Sequence, residues 1–140
     1  MQVTSVHAVC IQDEKVILSH VLGRGFCLPG GHVEVGETNE QALHRELYEE
    51  AYIRGALAYI GCIEVSHEEN PNFDPSGKYP LIGYQAMYRV EQIECLPFLR
   101  EFEATARIWV EPTEATYVSD EHALFSEVIS TAFNERFLLK

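Results

Sequence analysis

Positive charge is scarce in this sequence. Lys and Arg number 10 against 22 Asp and Glu, for a net charge of −12 over 140 residues. Duplex nucleic acid and acidic membranes are bound through excess Lys and Arg, so both are poor partners for such a chain. A small phosphorylated ligand remains compatible, because a metal ion neutralises it locally. The four cysteines, at 10, 27, 62 and 95, are never close enough in sequence to make a zinc-type pair. Cys10 and Cys62 fall in apolar runs and read as small core residues. No apolar run approaches the length of a membrane span. No signal-peptide pattern is seen, so a cytoplasmic, reducing setting is expected. Internal repeats, linkers and low-complexity tracts are also missing. One domain over residues 1–140 is therefore expected.

What is present is a core-forming composition and one dense motif. Hydrophobic residues make up 46% and charged residues 23% of the chain, which argues against disorder. The motif runs from Gly31 to Ile53. Its second half reads as a helix. Thr38 and Gln41 have capping-box spacing. Leu43, Leu47 and Ala51 repeat every four residues as a buried stripe. Glu46, Glu49 and Glu50 share another face.

Those three glutamates weaken an isolated helix. The like-charged pair Glu46/Glu50 costs about 0.2–0.5 kcal/mol. Glu49 and Glu50 also lie in the last turn, where the helix dipole favours cations by about 0.3–1 kcal/mol. A hard divalent cation such as Mg²⁺ or Mn²⁺ reverses both penalties. A solvated acidic face is the bland alternative. Upstream, Leu28-Pro29-Gly30-Gly31 and Gly36-Glu37 read as a glycine-rich loop running into the helix, suited to close backbone approach and to anions at a helix start.

The whole pattern, Gly31-x5-Glu37-x7-Arg45-Glu46-Leu47-x-Glu49-Glu50-x-x-Ile53, resembles the Nudix box. Six fixed residues at roughly 7% usage each recur by chance about 10⁻⁷ times per window, or about 10⁻⁵ over the chain. Tyr52 departs, because the box normally has glycine there. That glycine would take left-handed geometry at the helix end, which tyrosine adopts at a cost of roughly 1–2 kcal/mol. Either the helix ends differently or it runs longer.

The resemblance implies an α/β fold, the Nudix-type α/β/α sandwich with a mixed β-sheet flanked by helices. It implies hydrolysis of the diphosphate linkage in a nucleoside diphosphate linked to another group, with Mg²⁺ or Mn²⁺. Carried over by position, Glu46, Glu49, Glu50 and the Gly30 carbonyl would hold metal. Gly31, Glu37 and Arg45 would be structural, with Arg45 and Glu37 paired. For the catalytic base, Glu50 comes first, with Glu49 beside it and Glu103 or Glu101 as loop candidates. His32 is a further acid–base option, whereas the spacing of His44 favours packing. The alternative function is a nucleotide-binding sensor that kept the fold and lost turnover. The partner implied is a nucleotide-type small molecule, and a homodimer is left open.

Along the rest of the chain, strands are expected at Val3–Ile11 (with His7 inside), Val16–Val21, Ala56–Val65, Leu81–Val90 and Ala104–Val110, with a short extended piece at 26–28. Arg24 is either a substrate-phosphate contact or a solvated loop arginine. Residues 67–79 form a long polar loop, read either as a flap carrying Phe73 for base stacking and Lys78 for a phosphate or as a disordered hairpin tip. Residues 91–103 read as a loop. Trp109 reads either as a core anchor, the bland choice, or as a ring facing the pocket. A second helix is expected from an Asp120 or Ser119 cap to Phe133, with Asn134 ending it and Phe125, Val128, Ile129, Ala132 and Phe133 as its stripe.

Overall fold

The computed structural model describes residues 2–119 and 125–138. Seven strands and three helices occur among the described residues: β1 (Val3–Gln12), β2 (Lys15–Val21), β3 (Gly25–Cys27), β4 (Gly30–His32), α1 (Asn39–Ala51), β5 (Ile53–Ser66), β6 (Ile82–Cys95), β7 (Ala104–Val110), α2 (Pro112–Val118) and α3 (Phe125–Leu138). The sheet is mixed, with order β3-β2-β1-β6-β5; β4 adds to β1 and β7 to β2. β1 and β6 run parallel, and the other pairs are antiparallel.

Strand alternation builds the layers. Val6, Ala8 and Cys10 of β1 face one side and pack with Ala42, Leu43, Leu47 and Ala51 of α1. Val9 and Ile11 face the other side and pack with Ala115 of α2 and Phe125, Ile129 and Ala132 of α3. A two-residue period on a central strand thus gives a helix layer on each face, the expected α/β/α sandwich. No helix among the described residues is long and apolar enough to cross a membrane.

Several local expectations are corrected. Residues 91–95 continue β6 rather than starting a loop. Pro112 opens a helix, α2, because proline suits a first helical position. Ser119 is the C-terminal cap of α2, not the start of α3; Asp120 lies outside the described residues. α3 continues past Asn134. Gly30–His32 is a short strand rather than a loop. Cys10 is buried, but Cys62 is exposed at the surface of β5. Trp109 is 40% exposed on β7, where its ring N–H donates to Gln12 at 2.8 Å, satisfying its polar end at the surface. His44 is exposed, on the outer side of α1.

Candidate active site

α1 begins as its sequence requires. The Thr38 hydroxyl accepts from Gln41 N–H and the Gln41 side chain accepts from Thr38 N–H, a complete capping box. The other end is less ordinary. The helix stops at Ala51, and Tyr52 takes left-handed geometry (φ 51°, ψ 49°), as the box glycine would. Its ring is fully buried, which offsets the conformational cost: burying an aromatic side chain contributes about 1.5–3 kcal/mol. No basic residue lies in the last turn of α1. Arg107 of β7 supplies the cation instead, donating to the carbonyls of Ala51 and Tyr52 at 2.9 Å each.

β4 lays Gly30 and Gly31 against β1, with His7 opposite Gly30 and Val6 opposite Gly31. Gly30 has no room for a side chain, and one on Gly31 would push the Glu46 carboxylate aside. A Cβ on Gly30 would sit 2.2 Å from the Val6 carbonyl oxygen, and one on Gly31 would sit 2.6 Å from a Glu46 carboxylate oxygen. The Gly30 N–H donates to Glu50 Oε1 at 3.1 Å. Glu46 and Glu50 therefore both rest on the same two-glycine strand.

Two arginines hold the acidic side chains. Arg45 forms a fork on Glu37 (2.7 and 3.0 Å) and also donates to Glu46 at 2.8 Å, Glu49 at 3.2 Å and the His32 carbonyl at 3.0 Å. Arg24 donates to Glu50 Oε2. Arg24 thus keeps half of its side chain in solvent and pairs with Glu50 within the site.

Electrostatics here run against the ionised acids. Burial pushes the Glu46 carboxyl above its ordinary range, against the pull of Arg45 and with Glu49 adding repulsion. Burial does the same to Glu50, opposed by the Gly30 amide and Arg24 and reinforced by Glu46. Glu37 is shifted the opposite way, chiefly by its bond to Arg45.

All three glutamates, Gly30, Gly31, Arg24 and Lys78 line one cleft of about 950 Å³. Glu101, Phe102 and Glu103 also line it, as do Ser5, His7, His32 and Gln85. Phe73 does not: its ring stacks on His67 at 5.3 Å, within the turns linking β5 and β6, and it is not among the cleft-lining residues. Those turns are braced by Asn70 and Asp74 side chains, which accept from Asn72 and Ser76 amides. His7 and Gln85 also line a smaller apolar pocket of about 90 Å³ with Leu28, Ile63, Met87, Phe125 and Val128. Sequence reasoning had no signal for Gln85, His7 or Arg107 as site components, since strand pairing alone brings them in.

The donor set fits a hard divalent cation. It is all oxygen, and burial leaves its carboxylates in want of positive charge. In the geometry described the guanidinium groups meet that want, and no three His, Cys, Asp or Glu side chains among the described residues stand in a ready ligating group.

A family model described as NUDIX domain matches residues 1–132. The chain belongs to the NUDIX family. As a NUDIX hydrolase it acts on phosphoric anhydride bonds. Solved structures share the fold. The Bacillus subtilis pyrophosphohydrolase BsRppH (E68A mutant) is 22% identical, with a TM-score of 0.73 over 96% of this chain and 83% of that one. The E. coli ORF135 protein is 23% identical, with a TM-score of 0.66 over 97% and 92%. The NUDIX domain of Shewanella oneidensis NrtR, solved with ADP ribose, is 18% identical, with a TM-score of 0.66 over 98% and 89%. No curated protein matches the chain.

Proposed function

We propose that this NUDIX hydrolase, acting as one domain over residues 1–140, cleaves the diphosphate linkage of a nucleoside diphosphate joined to another group, with Mg²⁺ or Mn²⁺. One observation carries this: the buried Glu50 and the partly buried Glu46 converge on the Gly30–Gly31 strand in a cleft that also holds Glu49, Arg24 and Lys78. Glu46, Glu49, Glu50 and the Gly30 carbonyl would hold the metal. When bound, Mg²⁺ or Mn²⁺ supplies charge neutralisation for the phosphoryl oxygens and a more acidic water.

The chain's own residues do the rest. Arg24 and Lys78 are cations on the cleft wall and orient the diphosphate. Arg45 keeps Glu46 and Glu49 aimed by bonding both. Glu50 accepts the proton of the attacking water, with Glu49 beside it and Glu103 as the loop candidate in the same cleft. The apolar pocket reached through His7 and Gln85 supports a nucleotide-type substrate, since it offers apolar walls and one carboxamide edge next to the phosphate cleft. A cytoplasmic setting is part of the same proposal.

The test is turnover of a nucleotide panel (nucleoside triphosphates, nucleotide sugars, ADP-ribose) with Mg²⁺, Mn²⁺ or EDTA. Metal-dependent release of phosphate or pyrophosphate from the triphosphates, or of a nucleoside monophosphate and a sugar phosphate from the nucleotide sugars and ADP-ribose, is expected, with loss in Glu49→Gln and Glu50→Gln while the fold persists. A metal-bound protein inactive on the whole panel overturns the proposal. The sensor alternative rested on Tyr52, and Tyr52 ends the helix as glycine would.

A further inference from the structure

Tyr52 holds a loop at two points. Its carbonyl accepts from Leu96 N–H at 2.8 Å, and its phenolic oxygen accepts from Glu101 N–H at 2.8 Å. Its ring lies 4.8 Å from Phe98 and 6.4 Å from Phe102, centroid to centroid. Tyr48, one turn back on α1, closes the cluster at 6.3 Å from Phe102. The segment so gripped carries Glu101 and Glu103, which line the same cleft as the α1 glutamates.

A glycine at position 52 would adopt the left-handed conformation at lower cost. It would offer the same carbonyl but no ring and no hydroxyl. The departure from the box therefore adds two attachments between the end of α1 and the loop. A ring that only filled space would not need the hydroxyl, yet the hydroxyl is what meets Glu101.

We propose that Tyr52 is a positioning residue: it clamps residues 96–103 onto the end of α1 and so presents Glu101 and Glu103 to the cleft that holds Glu46, Glu49 and Glu50. This deepens the hydrolase assignment above and rests on it. Because Tyr52 follows Glu50 by two residues, the loop and the end of α1 become one rigid unit.

Tyr52→Phe keeps the ring and removes only the acceptor for Glu101 N–H. Two measurements on the full chain are made together: amide hydrogen exchange over residues 96–103, and kcat and KM with Mg²⁺ and the best substrate of the panel. Faster exchange confined to that loop is expected, with kcat down about tenfold and KM within about twofold. The kcat loss should shrink when Tyr52→Phe is combined with Glu101→Gln and Glu103→Gln, since the clamp then presents nothing of use. Unchanged exchange overturns the clamp. Faster exchange with unchanged kcat overturns its role in presenting Glu101 and Glu103. If the unsubstituted protein turns over nothing on the panel, the functional assignment fails, and the exchange measurement alone still decides the clamp.

Discussion

Arg24 and Glu50 meet across the cleft, with Nη2 of the guanidinium 2.5 Å from Oε2 of the carboxylate. The partners differ in exposure. The arginine side chain is half exposed and that of the glutamate is nearly buried. Arg24 sits between Gly23 and Gly25, both at positive φ, on the tight turn joining β2 and β3. A cation on a turn thus sits on a carboxylate assigned to a metal.

Arg24→Gln should therefore act in two ways. Because the guanidinium is half solvated, the metal-free protein should lose only about 0.5–1 kcal/mol of stability. Thermal unfolding measures that. Binding of Mn²⁺ should not weaken, since a competitor for Glu50 has gone, while kcat/KM for a nucleotide should drop about tenfold through the lost phosphate contact. Weaker Mn²⁺ binding by calorimetry would show that Arg24 supports the site rather than competing for it.

Glu46 and Glu50 should leave a mark on the pH dependence of stability. Both folded-state pKa values lie above the ordinary 4.5, mainly through burial. The folded protein then holds these protons more tightly than the unfolded chain does. The stabilisation this gives is fully present below the unfolded value and is lost as pH rises through the folded one. Glu37 and Asp74 are shifted downward and act below 4.5, outside that window. Thermal melts from pH 4.5 upward, without metal, should thus show stability falling with pH in the unsubstituted protein. The fall should be shallower in Glu46→Gln/Glu50→Gln. Parallel curves for the two proteins would refute the assignment.

The motif made much of this site legible in advance because its parts are local. The Thr38–Gln41 cap, the Leu43/Leu47/Ala51 stripe and the acidic face follow from helical spacing alone, and Arg45 reaches Glu37 over eight residues. What stayed hidden depends on strand pairing. Arg107 reaches the end of α1 only because β7 pairs with β2, setting Arg107 opposite Ser19. Gln85 reaches the cleft because β6 runs parallel to β1, setting it opposite Ser5. Cys62 and Trp109 were misplaced for a related reason. Apolar type indicates a strand but not which strand face meets solvent, and β5 and β7 each expose part of one face. Phe73 was assigned by residue type within a polar loop, and its stacking on His67 depends on how that loop turns.

Arg45→Lys tests the fork. Arg45 serves Glu37 through two nitrogens and Glu46 and Glu49 through a third contact point. A lysine ammonium has charge but no planar fork, so it cannot serve all three carboxylates together. A stability loss of about 2 kcal/mol is expected, with turnover falling further than Tm alone would explain, because Glu46 and Glu49 lose their aim. Urea unfolding and steady-state kinetics measure the two parts. Glu37→Gln, which spares Glu46 and Glu49, should lower stability without the extra loss of turnover.

Tyr52→Gly restores the residue the box normally carries, and two effects oppose each other. Releasing a non-glycine residue from left-handed geometry returns about 1–2 kcal/mol. Deleting a fully buried aromatic side chain costs about 3–5 kcal/mol, because the hole it leaves closes only in part. The packing effect is larger, so the variant should be less stable by about 2 kcal/mol. Tyr52→Ala keeps the left-handed cost and loses the ring, so it should fall below Tyr52→Gly. That order, Tyr above Gly above Ala in urea midpoint, separates the two effects. A glycine variant as stable as the parent would mean that the ring among Tyr48, Phe98 and Phe102 contributes little, and that the loop from Leu96 to Glu103 stands without it.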